Sequence, residues 1–272
     1  ADYDVDGSTS AAILYNFLSL FNCNISLKIP DRLNEGYGPN KRIMSEFIKE
    51  NIDLIFTLDC GTSSFGIVDN SDYKKIDIII IDHHISELKL PKVFSIINPN
   101  RFDEVNFLKD LAAVGVTFLF IMGLRKKMRE NFFFNKKIIE PNLLIYLDLV
   151  ALGTVCDVVK LKKYNRNFVK KGLEIIRKRT NKGISTIIDN SKINYSLTAN
   201  DLGYIIGPQL NAASRINDSS LSSKLLISNN FIEIESISKK LVLLNEKRKL
   251  IENDIYEQAL NQAKNQINKK II

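Results

Sequence analysis

Thiol and imidazole groups are scarce in this chain of 272 residues, which carries three cysteines and two histidines. Cys23, Cys60 and Cys156 show no paired or metal-type spacing. That excludes a disulfide framework and favours a reducing compartment, the cytoplasm. Long apolar runs are missing too. The run of isoleucines within Asp77–Ile81 is far too short to cross a bilayer, so no membrane partner is expected. No signal or transit peptide is readable, and neither an internal repeat nor a low-complexity tract is present. The G-x-S-x-G elbow of a serine hydrolase is absent. Asp6-Gly7-Ser8-Thr9 lacks the lysine and the spacing of a phosphate-binding loop.

What is present is ordinary in bulk: 45% hydrophobic and 25% charged residues, a length that can build one large domain or two smaller ones. Thirty-eight Lys and Arg against 31 Asp and Glu leave a net charge of +7. The excess fits a polyanionic partner. It fits a solvated basic surface in a lysine-, isoleucine- and asparagine-rich sequence equally well.

The two halves differ in pattern. Apolar, β-branched pieces recur at Ile25–Ile29, Leu54–Leu58, Ile76–Ile81 and Val93–Ile97. Helix-like stretches at Ser10–Phe21, Asn40–Asn51 and Ser63–Tyr73 alternate with the first three. This alternation predicts an α/β fold, a parallel sheet flanked by helices, with ligands beyond the carboxyl ends of the strands. From about Leu111 the pattern turns helical: Leu111–Arg129, Pro141–Leu152, Asn165–Arg179, Ala199–Ile205 and Ser219–Asn229. A long charged helix over Phe231–Asn268, without Gly or Pro, follows.

The chemistry-bearing residues sit at the predicted strand ends. Asp2, Asp4 and Asp6 alternate with Tyr3 and Val5; in an extended segment all three would share one face. Asp59 ends one apolar strand before Cys60-Gly61-Thr62-Ser63-Ser64, and Asp82-His83-His84 ends another. Ala151–Asp157 (ALGTVCD) and Gly207–Arg215 (GPQLNAASR) have the same unusual character. An aspartate after a strand also serves as a helix N-cap, which remains open for Asp59. Converging carboxylates repel unless protonated or filled by cations. Oxygen donors with one or two imidazoles suit Mn²⁺ or Mg²⁺ better than a thiolate-rich zinc site. A carboxylate bridging two ions about 3.5–4 Å apart would make a two-metal hydrolase.

DYDVDG, DCGTSS, DHH and ALGTVCDVV, in this order and spacing, resemble the four metal-site motifs of the DHH phosphoesterase superfamily. The fuller resemblance is to its RecJ-like branch, exonucleases specific for single-stranded DNA. PDRLNEGYG (Pro30–Gly38), INPN (Ile97–Asn100), LAAVGVTF (Leu111–Phe118), the segment from Gly207 and LNEKRKLIE (Leu244–Glu252) all take part, so it covers residues 1 to about 260. Carried over by motif, it implies Asp4, Asp6, Asp59, His83 and Asp157 as metal ligands, with Asp59 as the bridge. Asp2 and Asp82 become ligands or the groups that orient them. His84 would face the scissile phosphate, and Arg32, Asn211 and Arg215 the DNA; for either arginine a surface ion pair is the alternative. Lys160, Lys162, Lys163, Arg166, Lys170 and Lys171 would guide the strand or merely form an exposed helix face.

The activity implied is metal-dependent 5′→3′ hydrolysis of phosphodiester bonds in single-stranded DNA, in repair and recombination. A single-stranded-DNA-binding protein and a helicase would be its partners. Two other readings stand beside it: a relative acting on short oligonucleotides, nucleoside bisphosphates or cyclic dinucleotides, and an inactive DNA-binding protein. The domain organisation implied is a DHH domain over 1–230, with an α/β part to about 110 and a helical part over 111–230. Residues 231–272 would connect to a second domain absent from this chain. An apolar strand before the first motif is also expected of the family. Departures from its pattern (Ser214 for a glycine, Cys156 for an alanine, Lys160 for a proline) touch no expected ligand.

Overall fold

The computed structural model describes residues 1–70, 75–216 and 218–264. Three parallel strands form its sheet among those residues: β1 (Leu54–Leu58), β2 (Asp77–Ile81) and β3 (Ser95–Ile97), in the order β1-β2-β3. Leu54 pairs with Asp77, and Leu58 with Ile81, while Ile81 meets Ile97. Both faces are covered, which is why β2 reads as unbroken isoleucine rather than as an alternation. Ile78 and Ile80 pack with Ile55 against Ile43, Met44 and Phe47 of α2 (Lys41–Lys49). Ile81 and Leu58 face the main core on the other side, with α1 (Val5–Ser19) and α3 (Ala113–Glu130).

The helical half wraps that core. A 3-10 turn at Leu143–Tyr146 leads into α4 (Leu147–Cys156), which lies along both α1 and α5 (Lys163–Arg177). Then come α6 (Lys182–Asn190), a single turn α7 (Ala199–Asp201), a π-helical turn at Leu202–Ile206, α8 (Gly207–Ile216) and α9 (Leu221–Ile227). The last element, α10 (Phe231–Lys264), runs 34 residues. Its first half buries Ile234, Ile237, Leu241 and Leu244 against α6 and α8; from Glu246 onward it is almost wholly exposed. The expected helix over Phe231–Asn268 is thus described as far as Lys264, its last four residues lying outside the described range.

Several expectations change. The first helix starts at Val5 rather than Ser10, because Asp4 in extended conformation caps it, accepting a hydrogen bond from the Gly7 amide at 2.9 Å. Asp2, Asp4 and Asp6 therefore do not share one strand face. Residues Ile25–Ile29 join no strand ladder among the described residues, although Ala1 donates to the Lys28 carbonyl at 3.1 Å. That leaves β1 at the sheet edge, facing an apolar groove of about 680 Å³ lined by Leu14, Leu18, Ile25, Leu27 and Phe120. The stretch from Ser63 makes turns rather than a helix through residue 70, and 71–73 lie outside the described residues. Helix α6 had no counterpart in the expected set; its signal is an Asn181 N-cap, accepting from the Ile184 amide at 2.9 Å, ahead of Ile184, Ile187 and Ile188.

One glycine sets the central junction. A Cβ on Gly153 would collide with Thr9 Oγ1 of α1 and stand 2.8 Å from Val114 Cγ1 of α3. Three helices meet there only because α4 presents a bare backbone. Gly153→Ala is expected to overpack the junction and cost about 1–3 kcal/mol. Urea unfolding checks it, as a lowered midpoint with an unchanged slope.

Candidate metal centre

Each carboxylate reaches the centre by a different backbone device. Asp59 follows β1; its amide donates to the Ile81 carbonyl at 2.9 Å and its φ is +61°. That left-handed turn costs a non-glycine residue energy and marks a site under constraint. Asp59 caps no helix among the described residues, which removes the N-cap reading. Asp82 follows β2 and donates its amide to the Ile97 carbonyl at 3.1 Å. Both side chains thus leave the carboxyl edge of the sheet, where open parallel sheets place their ligands.

Asp2, Asp4 and Asp6 come from the approach to α1. The Asp2 amide donates to the Leu58 carbonyl at 3.0 Å, tying the segment to the end of β1. A Cβ on Gly7 would stand 2.5 Å from the Asp2 carbonyl oxygen, so the glycine after the third aspartate lets the helix close on that segment. Asp6, fully buried, accepts from the Ala113 and Val114 amides at 2.7 and 2.8 Å. Those are free donors at the N-terminus of α3, whose dipole favours the negative charge. Asp157 sits at the C-cap of α4.

These groups converge on His83. Its Nε2 lies 3.3 Å from Asp59 Oδ1, 3.5 Å from Asp157 Oδ2 and 3.8 Å from Asp6 Oδ2. Donor atoms of Asp2, Asp4 and Asp59 form a second group within 4.8 Å of one another, and Asp59 belongs with both histidines as well. Asp2 Oδ1, Asp59 Oδ1, His83 Nε2 and Asp157 Oδ2 are buried with no hydrogen-bond partner among the described residues. Buried polar atoms left unpaired are costly, and four of them aimed into one space fit ligation of hard divalent cations.

Charge burial is written into the acidities. Desolvation, then the charge of Asp4, pushes the carboxyls of Asp2 and Asp157 up to about 7. Burial, reinforced by neighbouring carboxylates, drives Asp6 and Asp59 upward as well. His83 is lowered, chiefly by burial, which keeps a neutral imidazole available as a donor. Asp82 is the exception. Burial opposes its ionisation, but hydrogen bonds from His84 and Thr62 and the His84 charge hold it at about 2.

Asp82 belongs to no ligand group. It accepts from His84 Nδ1 at 2.7 Å, the His83 amide at 2.8 Å and the Thr62 amide at 3.1 Å, so it orients the two histidines. Arg32 lies with its guanidinium 4.9 Å from the Tyr3 ring centre, and the Tyr3 hydroxyl also feels the charge of Arg215. Arg215 is exposed and pairs with no described carboxylate, so the ion-pair alternative fails for it within the described residues. Asn211 sits on the same helix, its Oδ1 buried and unpartnered. The six basic residues from Lys160 to Lys171 are all exposed, and Lys171 pairs with Glu174 at 3.0 Å.

Sequence reasoning passed over the residues that brace the histidine backbone. Asn98 donates to the His84 carbonyl at 2.8 Å and Thr62 Oγ1 at 3.0 Å, and Asn100 to the His83 carbonyl at 2.6 Å. Tyr37 was missed as well. All lie in or beside quoted motifs, which was the available signal. Cys60 is buried with its thiol pushed up to about 12, and Cys156 is also raised by burial, so neither is a ready nucleophile.

Comparison with known proteins agrees with this geometry. Residues 1–154 match the DHH family, N-terminal domain. The single-stranded-DNA-specific exonuclease RecJ of Dickeya dadantii is 37% identical over 264 residues, 96% of this chain and 46% of that protein. That of Escherichia coli is 38% identical over 264 residues, 95% and 46% respectively. The chain therefore spans about half the length of these relatives. Among solved structures, exonuclease RecJ bound to manganese superposes with a TM-score of 0.83 at 29% identity, covering 96% of this chain and 64% of that one. RecJ in complex with Mn²⁺ from Thermus thermophilus gives 0.80 at 27% identity, over 97% and 37%.

The raised carboxyls fix the sign of the pH dependence. Folded-state acidities above the unfolded value of 3.8 mean that the native state holds extra protons between about pH 4 and 7. Stability of the metal-free protein is therefore expected to fall as pH rises through that window. Mn²⁺ is expected to reverse the loss at pH 7.5 and to release protons on binding. Thermal melts at pH 5.5 and 7.5 check the first, and calorimetry in buffers of different ionisation enthalpy the second.

Proposed function

Because this chain belongs to the DHH family, we propose that it is the catalytic portion of a metal-dependent exonuclease that hydrolyses single-stranded DNA, in the 5′→3′ direction. The observation that carries the reading is the sharing of Asp59 between two donor groups, one with Asp2 and Asp4, the other with the histidine side where Asp6 and Asp157 meet His83. A bridging carboxylate between two such groups is what a two-metal phosphodiesterase requires. Mn²⁺ or Mg²⁺ held there would acidify a water for in-line attack and offset charge on the attacking and leaving oxygens.

The chain's own residues do the rest. Asp4, Asp6, Asp59, His83 and Asp157 hold the cations, with Asp2 completing or orienting the set. Asp82 fixes His84, which faces the scissile phosphate and donates to its oxygens or to the leaving group. Arg32, Asn211 and Arg215 contact the strand; supporting this, Arg32 and Arg215 both bear electrostatically on Tyr3, next to Asp2 and Asp4. A guanidinium fork suits phosphate oxygens. Without cations the acidic cluster repels the DNA backbone, so substrate binding at the centre depends on metal.

The same reading carries the wider expectations: cytoplasmic location, a repair and recombination role, and a single-stranded-DNA-binding protein and a helicase as partners. It also divides the chain into a DHH domain over 1–230 and a connecting helix over 231–272, of which 265–272 lie outside the described residues. No helix among the described residues is long and apolar enough to cross a membrane. The inactive alternative is disfavoured because every ligand position is filled.

Asp59→Ala in the full-length protein is expected to cut Mn²⁺-dependent release of nucleotides from long single strands by about 10²–10³-fold or more. Undiminished release would overturn the assignment. Equal turnover of dinucleotides and long strands by the unaltered protein would point instead to the short-substrate relative.

A further inference from the structure

Tyr37 stands where the metal centre meets the open cleft. Its ring packs edge-to-face on His84, with centroids 5.6 Å apart, and on Tyr3 at 6.5 Å, and Arg32 lies over Tyr3. The row Arg32–Tyr3–Tyr37–His84 therefore forms one wall beside the carboxylates. Tyr37, His84 and Asp82 also line a small cleft with Gly61, Ser63 and Ser64.

The hydroxyl of Tyr37 makes two contacts. It donates to the Asp59 carbonyl at 2.6 Å, and it lies 3.1 Å from His84 Nδ1. A hydroxyl has one proton, and here that proton is committed to the carbonyl. Towards His84 the tyrosine oxygen can then only accept, so Nδ1 carries the hydrogen. The second neighbour of Nδ1, the Asp82 carboxylate at 2.7 Å, is an acceptor too. Nδ1–H is thus shared between two oxygens, and neither can accept it unless the ring is in that tautomer. Nε2 is left as the unengaged nitrogen on a side chain that is about half exposed (48%).

We infer that Tyr37 is a positioning residue for the proposed nuclease reaction: its hydroxyl ties the backbone of the bridging carboxylate Asp59 to His84, holding the imidazole in the Nδ1–H tautomer with Nε2 towards the substrate. The inference rests on the nuclease reading for its activity arm and on geometry alone for its spectroscopic arm. The link matters because His84 sits on the loop after β2 and Asp59 on the turn after β1. Tyr37 comes from a third segment, so one hydroxyl fixes the separation of two groups that must act on the same phosphate. It also occupies Nδ1 together with Asp82, so His84 meets the substrate through Nε2, a lone pair in the neutral ring and a donor once the ring holds a second proton.

The test compares Tyr37→Phe, which keeps the ring contacts, with Tyr37→Leu, which loses them. In full-length protein, Tyr37→Phe is expected to lower kcat on single-stranded DNA about tenfold, the size of one hydrogen bond to a positioned group, with KM within about twofold. Mn²⁺ affinity is expected to stay unchanged. Tyr37→Leu should lose at least as much. Independently, ¹⁵N spectra of histidine-labelled, metal-free protein should show His84 as the Nδ1–H form, assigned by difference against His84→Gln, and a displaced Nδ1 resonance in Tyr37→Phe, where Asp82 alone accepts that hydrogen. Unchanged spectra and kcat in Tyr37→Phe, or a defect seen only in Tyr37→Leu, would overturn the inference and assign Tyr37 to packing. If the unaltered protein lacks nuclease activity, the functional reading falls, and the spectra still decide the tautomer.

Discussion

The structure depends on one electrostatic problem: at least four carboxylates are held out of water within a few ångströms of each other, with no lysine or arginine among them. Burial and mutual repulsion push Asp2, Asp6, Asp59 and Asp157 upward in acidity together. No arrangement of such groups is stable in the charged form without cations. The unpartnered oxygens of Asp2, Asp59 and Asp157 show that the protein does not quench them internally. By contrast Asp82, equally buried, is fully hydrogen-bonded and remains acidic. Two kinds of buried aspartate therefore coexist at one sheet edge: those left open for a cation and one spent on orienting histidine.

Holding repelling charges together requires rigid, independent supports. Asp59 and Asp82 hang from neighbouring parallel strands whose register is fixed by the ladder between Leu58 and Ile81. Asp6 is fixed by the N-terminus of α3, 107 residues away in sequence, and Asp157 by the end of α4. The helices α1, α3 and α4 meet at Gly153, so the packing that relates Asp6 to Asp157 sets the bare α4 backbone directly against the Thr9 and Val114 side chains. The loop that carries the histidines is braced by Asn98 and Asn100 through their side-chain amides.

Much of this was legible in the sequence, for identifiable reasons. The strand ends at Leu58 and Ile81 are bounded by abrupt changes from apolar to acidic residues, so both strands and their terminal aspartates could be placed. The candidate ligands followed from motif order, and their donor atoms lie together in the structure. What misled was the first motif. Alternation in DYDVD is also compatible with a capped helix, and period-two spacing cannot separate the two when the capping residue is itself an aspartate. The tertiary hydrogen bonds from α3 to Asp6 decide in favour of the helix, and no local pattern reports them. Residues Ile25–Ile29 have strand composition but no paired neighbour among the described residues, since β-propensity describes a fit to a sheet and not the presence of one.

Tyr37 and the two asparagines were invisible for a different reason. A tyrosine in a glycine-flanked loop carries no periodicity, and its role depends on which atoms lie within about 3 Å of its hydroxyl after folding. Acidic ligands can be read from sequence because their charge demands explanation wherever they stand. Groups that orient them are neutral and ordinary, and acquire meaning only from the direction of a hydrogen bond. The division recurs within the DHH motif itself: His83 is defined by three carboxylates that need a common partner, whereas His84 is defined by the Asp82 and Tyr37 oxygens that leave only one nitrogen free. Adjacent and chemically identical, the two rings are given different work by their surroundings.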